Sequence, residues 1–424
     1  MYKLVEQKNL TEDKQIEVLP GPAKAYIPLS QHLGKICNAE VKVGEQVFLG
    51  QKIAWVQAHV SASIHASISG KVVAIQDWPH PVLGRCKAIV IENDGQDKIC
   101  GLRHTIYDKI DLLTAQEIRN IVFEAGIVGM GGASFPTHVK LNPPKPVDTL
   151  IINGAECEPY LTSDSRLMIE KTKEILQGLE LIKKCTGVKN VYIAIEDNKP
   201  EAIKAFRAVC NNRYPVSILK SQYPQGGEKQ LIKNILKKEV PQGKLPFDIG
   251  VIVHNMATVY AIYEAIYKNK PLYERIVTVT GSILTNPKNL LVRIGTPIKD
   301  LIDFCGPLKE EPAKIIIGGP MMGIAQYTTN VPVIKSTGGL LLLNKKEAAI
   351  QVEEFCIRCG ACVRECPVGL MPCLLNLASE KKLWDQTKAY SVLDCIECGL
   401  CDYTCPANRR LTQSIKRAKL EAVR

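Results

Sequence analysis

No apolar run in this 424-residue chain approaches the roughly 20 residues that a membrane-spanning helix needs. The most apolar stretches, Leu340–Leu343 and Ile315–Ile317, are only strand-sized. The start, Met1-Tyr2-Lys3-Leu4, lacks the apolar core of a signal peptide. The expectation is an intracellular protein whose membrane association is at most peripheral. There is also no basic stretch interleaved with aromatics and no nucleic-acid motif, so no nucleic acid is expected as a partner. The net charge of +11 is spread along the chain. It is compatible with an anionic ligand, an acidic protein partner, an anionic membrane surface or simply a soluble basic surface.

The chain is too long for one ordinary core, and its composition, 46% hydrophobic and 23% charged, is that of a folded protein. Residues 1–27 read as an irregular lead-in. From 28 to 95, short β-branched segments alternate with turns, which predicts a small all-β domain. Between 114 and 256, helical and strand-like segments alternate, as in a parallel sheet flanked by helices. Asp164–Cys185 reads there as one long amphipathic helix. Residues 272–325 suggest a small β-grasp-like module, and 350–424 are mostly helical.

Sixteen cysteines in such a chain point to metal or redox chemistry rather than disulfides. Eight of them form two copies of one pattern, Cys356-Ile-Arg-Cys359-Gly-Ala-Cys362-Val-Arg-Glu-Cys366-Pro367 and Cys395-Ile-Glu-Cys398-Gly-Leu-Cys401-Asp-Tyr-Thr-Cys405-Pro406. This is the spacing of bacterial two-cluster ferredoxins. Three thiolates in a tight loop can wrap three irons of one cube, with Gly360 or Gly399 relieving backbone crowding. The fourth cysteine then leads into a helix, whose first turn suits proline. In paired motifs the fourth cysteine ligates the other cluster. Cys356, Cys359, Cys362 and Cys405 are therefore assigned to one [4Fe–4S] cluster, and Cys395, Cys398, Cys401 and Cys366 to a second. Zinc is the alternative, but zinc sites use ligand pairs rather than a doubled four-cysteine motif ending in Cys-Pro. Cys373 reads as a packed thiol, and Cys37, Cys86, Cys100, Cys185, Cys210 and Cys305 as small core residues.

Three further segments could hold a ligand. Gly126–Lys140 places glycines at 129, 131 and 132, where bare backbone can lie against a planar or phosphorylated ligand, with Phe135 for stacking and Lys140 for phosphate. It follows a helical stretch and is not the dinucleotide fingerprint. Asn153-Gly-Ala-Glu156-Cys157-Glu158-Pro159 follows a strand, and Tyr223-Pro-Gln-Gly226-Gly227-Glu228 lies between strand and helix. Asn255 ends another strand. In parallel sheets, ligands sit beyond the carboxyl ends of strands. A solvated loop and a plain capped turn are the alternatives.

These segments resemble the FMN- and NADH-binding subunit of respiratory complex I. Together with Arg275–Pro297, Gly318–Gly323 and the two cysteine motifs, they more closely resemble the C subunits of Rnf ion-translocating oxidoreductase complexes. The phrases Val43–Gly50 and Ala66–Val73 resemble the barrel-sandwich hybrid of biotinyl and lipoyl carriers, but no lysine stands in Gln57–Ser63 to carry a swinging arm.

The Rnf resemblance implies a multidomain α/β plus β fold: a barrel-sandwich hybrid, a Rossmann-like FMN/NADH-binding α/β domain, a β-grasp (SLBB) module, and a C-terminal α-helical ferredoxin-like domain with two clusters. It implies FMN lined by Gly129, Gly131, Gly132, Lys140, Asn153, Gly226, Glu228 and Asn255, with Phe135, Glu156 and Glu158 on the nicotinamide side of NAD(H). It also implies membrane subunits and a ferredoxin-type electron partner, at the cytoplasmic face of a bacterial membrane. Two departures stand out. Ala155 replaces an acidic residue of the complex I pattern, and the family's early Gly-Gly-x-His-Pro segment is not visible in 1–19. The rival readings are a cobalamin reductase of bacterial microcompartments, which shares the same parts, and an electron-wire protein without flavin.

Overall fold

The computed structural model describes residues 2–99, 110–211 and 213–423. The first module packs a four-stranded sheet, in the order Lys24–Pro28, Gly84–Asn93, Gly70–His80, Gln46–Val47, on a three-stranded one of Asn38–Ala39, Lys52–Trp55 and Ile64–His65. Alternate side chains such as Ala25, Ile27, Ile53, Ile64, Ile68, Val72, Ile89 and Ile91 fill the space between them. Gly70–His80 and Gly84–Asn93 form a long antiparallel hairpin. Near its tip Trp78 stacks on Tyr26, with ring centroids 4.1 Å apart, and donates to the Asn330 carbonyl at 2.9 Å.

The second module is a four-stranded sheet in the order Val216–Leu219, Asn190–Glu196, Thr149–Gly154, Val251–Asn255, and every pairing is parallel. Its central strand runs Thr-Leu-Ile-Ile with every side chain buried, as helices on both faces require. Ala115–Glu124, Thr172–Thr186 and Met256–Tyr267 cover one face, and Glu228–Leu236 the other. After Val216–Leu219 the chain returns to the far side of Thr149–Gly154. The strand order therefore reverses between Thr149–Gly154 and Val251–Asn255, and a crevice opens at their carboxyl ends. The helix read as Asp164–Cys185 is two, Ser163–Glu170 and Thr172–Thr186. Lys171 leaves helical geometry, and the Thr172 hydroxyl donates to the Met168 carbonyl at 2.5 Å. The apolar period continues across this bend, so the sequence pattern does not reveal it.

The third module is a six-stranded sheet, in the order Ile16–Val18, Lys288–Arg293, Glu274–Thr280, Gly339–Leu343, Lys314–Ile317, Ile324–Ala325. Helix Ile298–Phe304 packs on it. Gly339–Leu343, beyond the span read as this module, is wholly buried and sits inside the sheet. Its partners lie far away in sequence, so local pattern could not place it. The last module packs Pro372–Glu380 against Leu411–Val423 around Leu370, Leu375, Val392 and Ile415. Among the described residues no helix is long and apolar enough to cross a membrane.

Residues 2–27 are not an irregular lead-in. Tyr2 exchanges backbone hydrogen bonds with Tyr223, Ile16–Val18 extends the third sheet in parallel with Lys288–Arg293, and Lys24–Pro28 belongs to the first module. Between them, the buried Lys8 ammonium donates to the carbonyls of Glu156, Glu158 and Leu161 at 2.9, 3.0 and 2.5 Å. Burial lowers its pKa, with the Lys199 charge adding to the effect. The ammonium is held because three inward-facing carbonyls have need of a donor.

Replacing Lys8 by Met should leave those carbonyls unpaired and cost about 3 kcal/mol or more. A lower unfolding midpoint in chemical denaturation checks it, and an unchanged midpoint contradicts it.

Candidate functional site

Asn153 and Asn255 are register partners at the carboxyl ends of the two central strands, at the crevice. The Asn153 amide donates to the Gly226 carbonyl at 2.9 Å and accepts from Ala155 N at 3.1 Å, which ties the loop after one strand to the loop before helix Glu228–Leu236. Asn255 caps helix Met256–Tyr267, its Oδ1 accepting from Ala257 N at 2.9 Å. That fixes its Nδ2 outward, where it donates to Asp164 Oδ2 at 2.6 Å.

The glycine-rich loop closes over these ends. Gly129 N donates to the Phe135 carbonyl at 2.9 Å, and Met130 N to Thr258 Oγ1 at 2.9 Å. Gly131 lies so close to the crevice that a Cβ there would stand 2.8 Å from Asn255 Nδ2. A Cβ on Gly132 would meet nothing within 4 Å, so that side of the loop is open space. Lys140 donates to the Val253 carbonyl at 2.8 Å and pairs with Glu228. The expected residues Gly129, Gly131, Gly132, Lys140, Asn153, Gly226, Glu228 and Asn255 thus share one crevice. Phe135 is half-buried at the foot of the loop. Backbone-lined open space, a lysine and two fixed amides suit a planar phosphorylated ligand such as FMN.

Two carboxylates expected on the nicotinamide side have other partners. Glu156 is spent on the start of helix Ser163–Glu170, where Oε1 accepts from Asp164 N at 2.7 Å and Oε2 from Ser165 N at 3.0 Å. The unpaired amides and positive end of a helix attract an anion, and Glu156 supplies it. Glu158 reaches into the third module, accepting from Met322 N at 2.7 Å and Met321 N at 3.1 Å. Burial pushes its pKa up to about 7, against the pull of those two amides and of Lys8. Sequence reasoning also missed Lys199, whose buried ammonium donates to the Ala155 carbonyl at 2.7 Å and pairs with Glu196 at 2.7 Å. A lone lysine bonded to backbone leaves no motif.

In the last module, Cys366, Cys395, Cys398 and Cys401 line one small pocket, together with mostly apolar groups such as Leu370, Ile396 and Ile415. Leu370 N donates to Cys366 Sγ at 3.3 Å and Glu397 N to Cys395 Sγ at 3.4 Å. Amides aimed at sulfur in an apolar cavity fit thiolate ligands of a cluster. Burial raises the Cys395 thiol and pushes Cys398 up to about 11, so a bound metal must supply the charge that favours thiolate. Gly360 and Gly399, at φ 73° and 75°, begin the matching short helices Ala361–Arg364 and Leu400–Tyr403. Cys362 lies near both Cys373 and Cys405, and burial pushes its thiol up to about 11. Cys356 and Cys359 are exposed. Of the scattered cysteines, Cys37, Cys185, Cys210 and Cys305 are buried, Cys86 is half-buried, and Cys100 lies outside the described residues.

The crevice and the Cys398 loop meet directly. Tyr223 OH donates to the Cys398 carbonyl at 2.7 Å, Gln230 Nε2 donates to the Pro367 carbonyl at 3.3 Å, and Gly226 N donates to Cys157 Sγ at 3.3 Å. Leu4, Cys157, Tyr223, Met321, Cys398 and Leu400 form one apolar cluster there. A Cβ on Gly399 would stand 2.8 Å from the Met321 carbonyl, so three modules converge within this contact.

Family models match four segments in chain order: an RnfC barrel sandwich hybrid domain at 2–96, a Nuo51 FMN-binding domain at 122–264, an SLBB domain at 276–325 and a 4Fe-4S dicluster domain at 348–406. Among solved structures, the NAD+-reducing [NiFe]-hydrogenase in its H2-reduced state shares the fold, with TM-score 0.52 and 16% identity over 76% of this chain and 65% of that one. The chain is 48% identical to the C subunit of the proton-translocating ferredoxin:NAD(+) oxidoreductase complex of Clostridium ljungdahlii, over 98% of this chain and 92% of that protein. It is 45% identical to the C subunit of the Na(+)-translocating complex of Acetobacterium woodii, over 95% and 91%. Likeness at this level over nearly the full length of both proteins shows common descent: the chain belongs to the family of Rnf complex C subunits.

Proposed function

We propose that this chain is the NAD(H)-facing electron-transfer subunit of a membrane-bound, ion-translocating ferredoxin:NAD oxidoreductase, with FMN in the crevice and two [4Fe–4S] clusters in the C-terminal module. The observation that carries this reading is the hydrogen bond from Tyr223 to the Cys398 carbonyl at 2.7 Å, which joins the Gly226 side of the crevice to a cysteine motif. Bound FMN supplies the exchange between hydride pairs and single electrons, and the clusters supply a one-electron relay.

The chain's own residues do the holding. Gly129, Gly131 and Gly132 give the isoalloxazine a bare backbone face, Lys140 and the amino end of helix Glu228–Leu236 take the phosphate, and Asn153 and Asn255 fix the floor. Phe135 is the remaining candidate for packing the nicotinamide, since Glu156 and Glu158 already serve the scaffold. Cys366, Cys395, Cys398 and Cys401 hold the inner cluster beside the crevice. Cys356, Cys359, Cys362 and Cys405 hold the outer one, and the exposure of Cys356 and Cys359 supports an exit there toward a ferredoxin-type subunit. The membrane subunits lie outside this chain, which rests peripherally on their cytoplasmic face.

Anaerobic reconstitution with FMN followed by NADH tests the reading: the flavin absorbance should bleach. Material that takes up iron but never bleaches would leave only the electron-wire alternative. Lys140→Ala should raise the FMN dissociation constant about ten- to a hundredfold, the worth of a charge-assisted bond. Unchanged flavin retention would remove Lys140 from the phosphate site. Cys359→Ala should lose the outer cluster, about half of the iron, while NADH still bleaches the flavin. Loss of all iron would contradict the assignment of separate ligand sets.

A further inference from the structure

We propose that Asp164 is a positioning residue of the flavin crevice, acting through Asn255. The inference rests on the crevice being the FMN site. Asp164 stands in the first turn of helix Ser163–Glu170 and Asn255 at the carboxyl end of its strand, and they meet at 2.6 Å, Asn255 Nδ2 donating to Asp164 Oδ2. The amide has no freedom to turn over, because its oxygen already accepts from Ala257 N at 2.9 Å. The Nδ2 group is also the atom against which Gly131 lies, so its position sets the height of the glycine-rich loop. An ionised Asp164 offers two acceptor oxygens and clamps the amide with a charge-assisted bond. A protonated one keeps only a neutral bond, roughly half as strong.

Several charged groups act on this carboxyl from the elements packed around it. Glu156, bonded to its own backbone N–H, repels it; Arg275 on strand Glu274–Thr280 and Lys199 before helix Pro200–Cys210 attract it. Glu264, on the neighbouring helix Met256–Tyr267, is taken up by Lys268 and Lys270. Burial and Glu156 together push the Asp164 pKa up to about 7, so the clamp titrates near neutrality. The sign follows: the folded pKa is raised, the strong form of the clamp exists above about 7, and it weakens as pH falls through that value.

The test is a titration of FMN into the full-length, cluster-loaded chain stripped of flavin, followed by quenching of flavin fluorescence. Between about pH 8 and about pH 6 the dissociation constant should rise about tenfold in the native chain, the difference between a charge-assisted and a neutral bond. Asp164→Asn, whose amide oxygen accepts from Asn255 at any pH, should bind with a flat profile. Riboflavin, which lacks the phosphate, should reproduce the native slope and so exclude phosphate titration as its source. A native chain whose FMN affinity does not change with pH, an Asp164→Asn chain that keeps the native slope, or a riboflavin titration without slope would overturn the proposal and leave the FMN site standing. A native chain that binds no flavin at any pH would instead overturn the site itself.

Discussion

Two buried ammonium groups hold the loop on which the molecule converges. Lys8 and Lys199, 6% and 4% exposed, between them satisfy the carbonyls of Ala155, Glu156, Glu158 and Leu161. The loop turns these carbonyls inward because Glu156 and Tyr160 adopt positive φ, 45° and 68°, folding the chain back on itself. Inward carbonyls without donors would forfeit their hydrogen bonds to water, so the loop needs the lysines to exist in this form. The lysines need it equally, since a buried ammonium requires acceptors, and Lys199 has Glu196 as counter-charge.

Held in this way, one loop serves three neighbours. Asn153 at its start builds the floor of the flavin-type crevice. Glu156 in its middle caps the helix that carries Asp164. Glu158 near its end grips the amides of Met321 and Met322, and the Met321 carbonyl lies against Gly399 in the second cysteine motif. Three of the four modules are thereby gathered around a few residues. The spacing between the crevice and the second cysteine motif is set by that gathering, not by any one module. Residues 2–27 take part as a strap, touching the second and third modules before entering the first.

Some of this was legible before folding and some was not. The cysteine motifs are readable because most ligands of a cluster are neighbours in the chain, and the spacing reflects the size of the cube. Gly131 and Asn255 were readable as residue types suited to a ligand, although their mutual contact was not. Glu156 and Glu158 were expected on the nicotinamide side. Whether a carboxylate faces a substrate or an orphan amide depends on where a helix begins and which loop lies opposite, and neither is local information. The same holds for Gly339–Leu343, which is recognisable as a strand but acquires neighbours only when residues 274–280 and 314–317 close on either side of it.

The sequence by itself determined the chemistry on offer: eight thiols in two cluster-binding patterns, a glycine-rich loop with its lysine, and the order of the modules. These are matters of residue type and short spacing, which covalent connection enforces. Only the tertiary structure decided that the Cys398 carbonyl meets Tyr223 beside the crevice while Cys356 and Cys359 are exposed, and that Lys8 rather than solvent answers the loop's carbonyls. Those outcomes depend on desolvation and on pairing between groups more than 100 residues apart, as Lys8 and Glu156 are at a separation of 148. Such pairing is settled by the packing of whole modules.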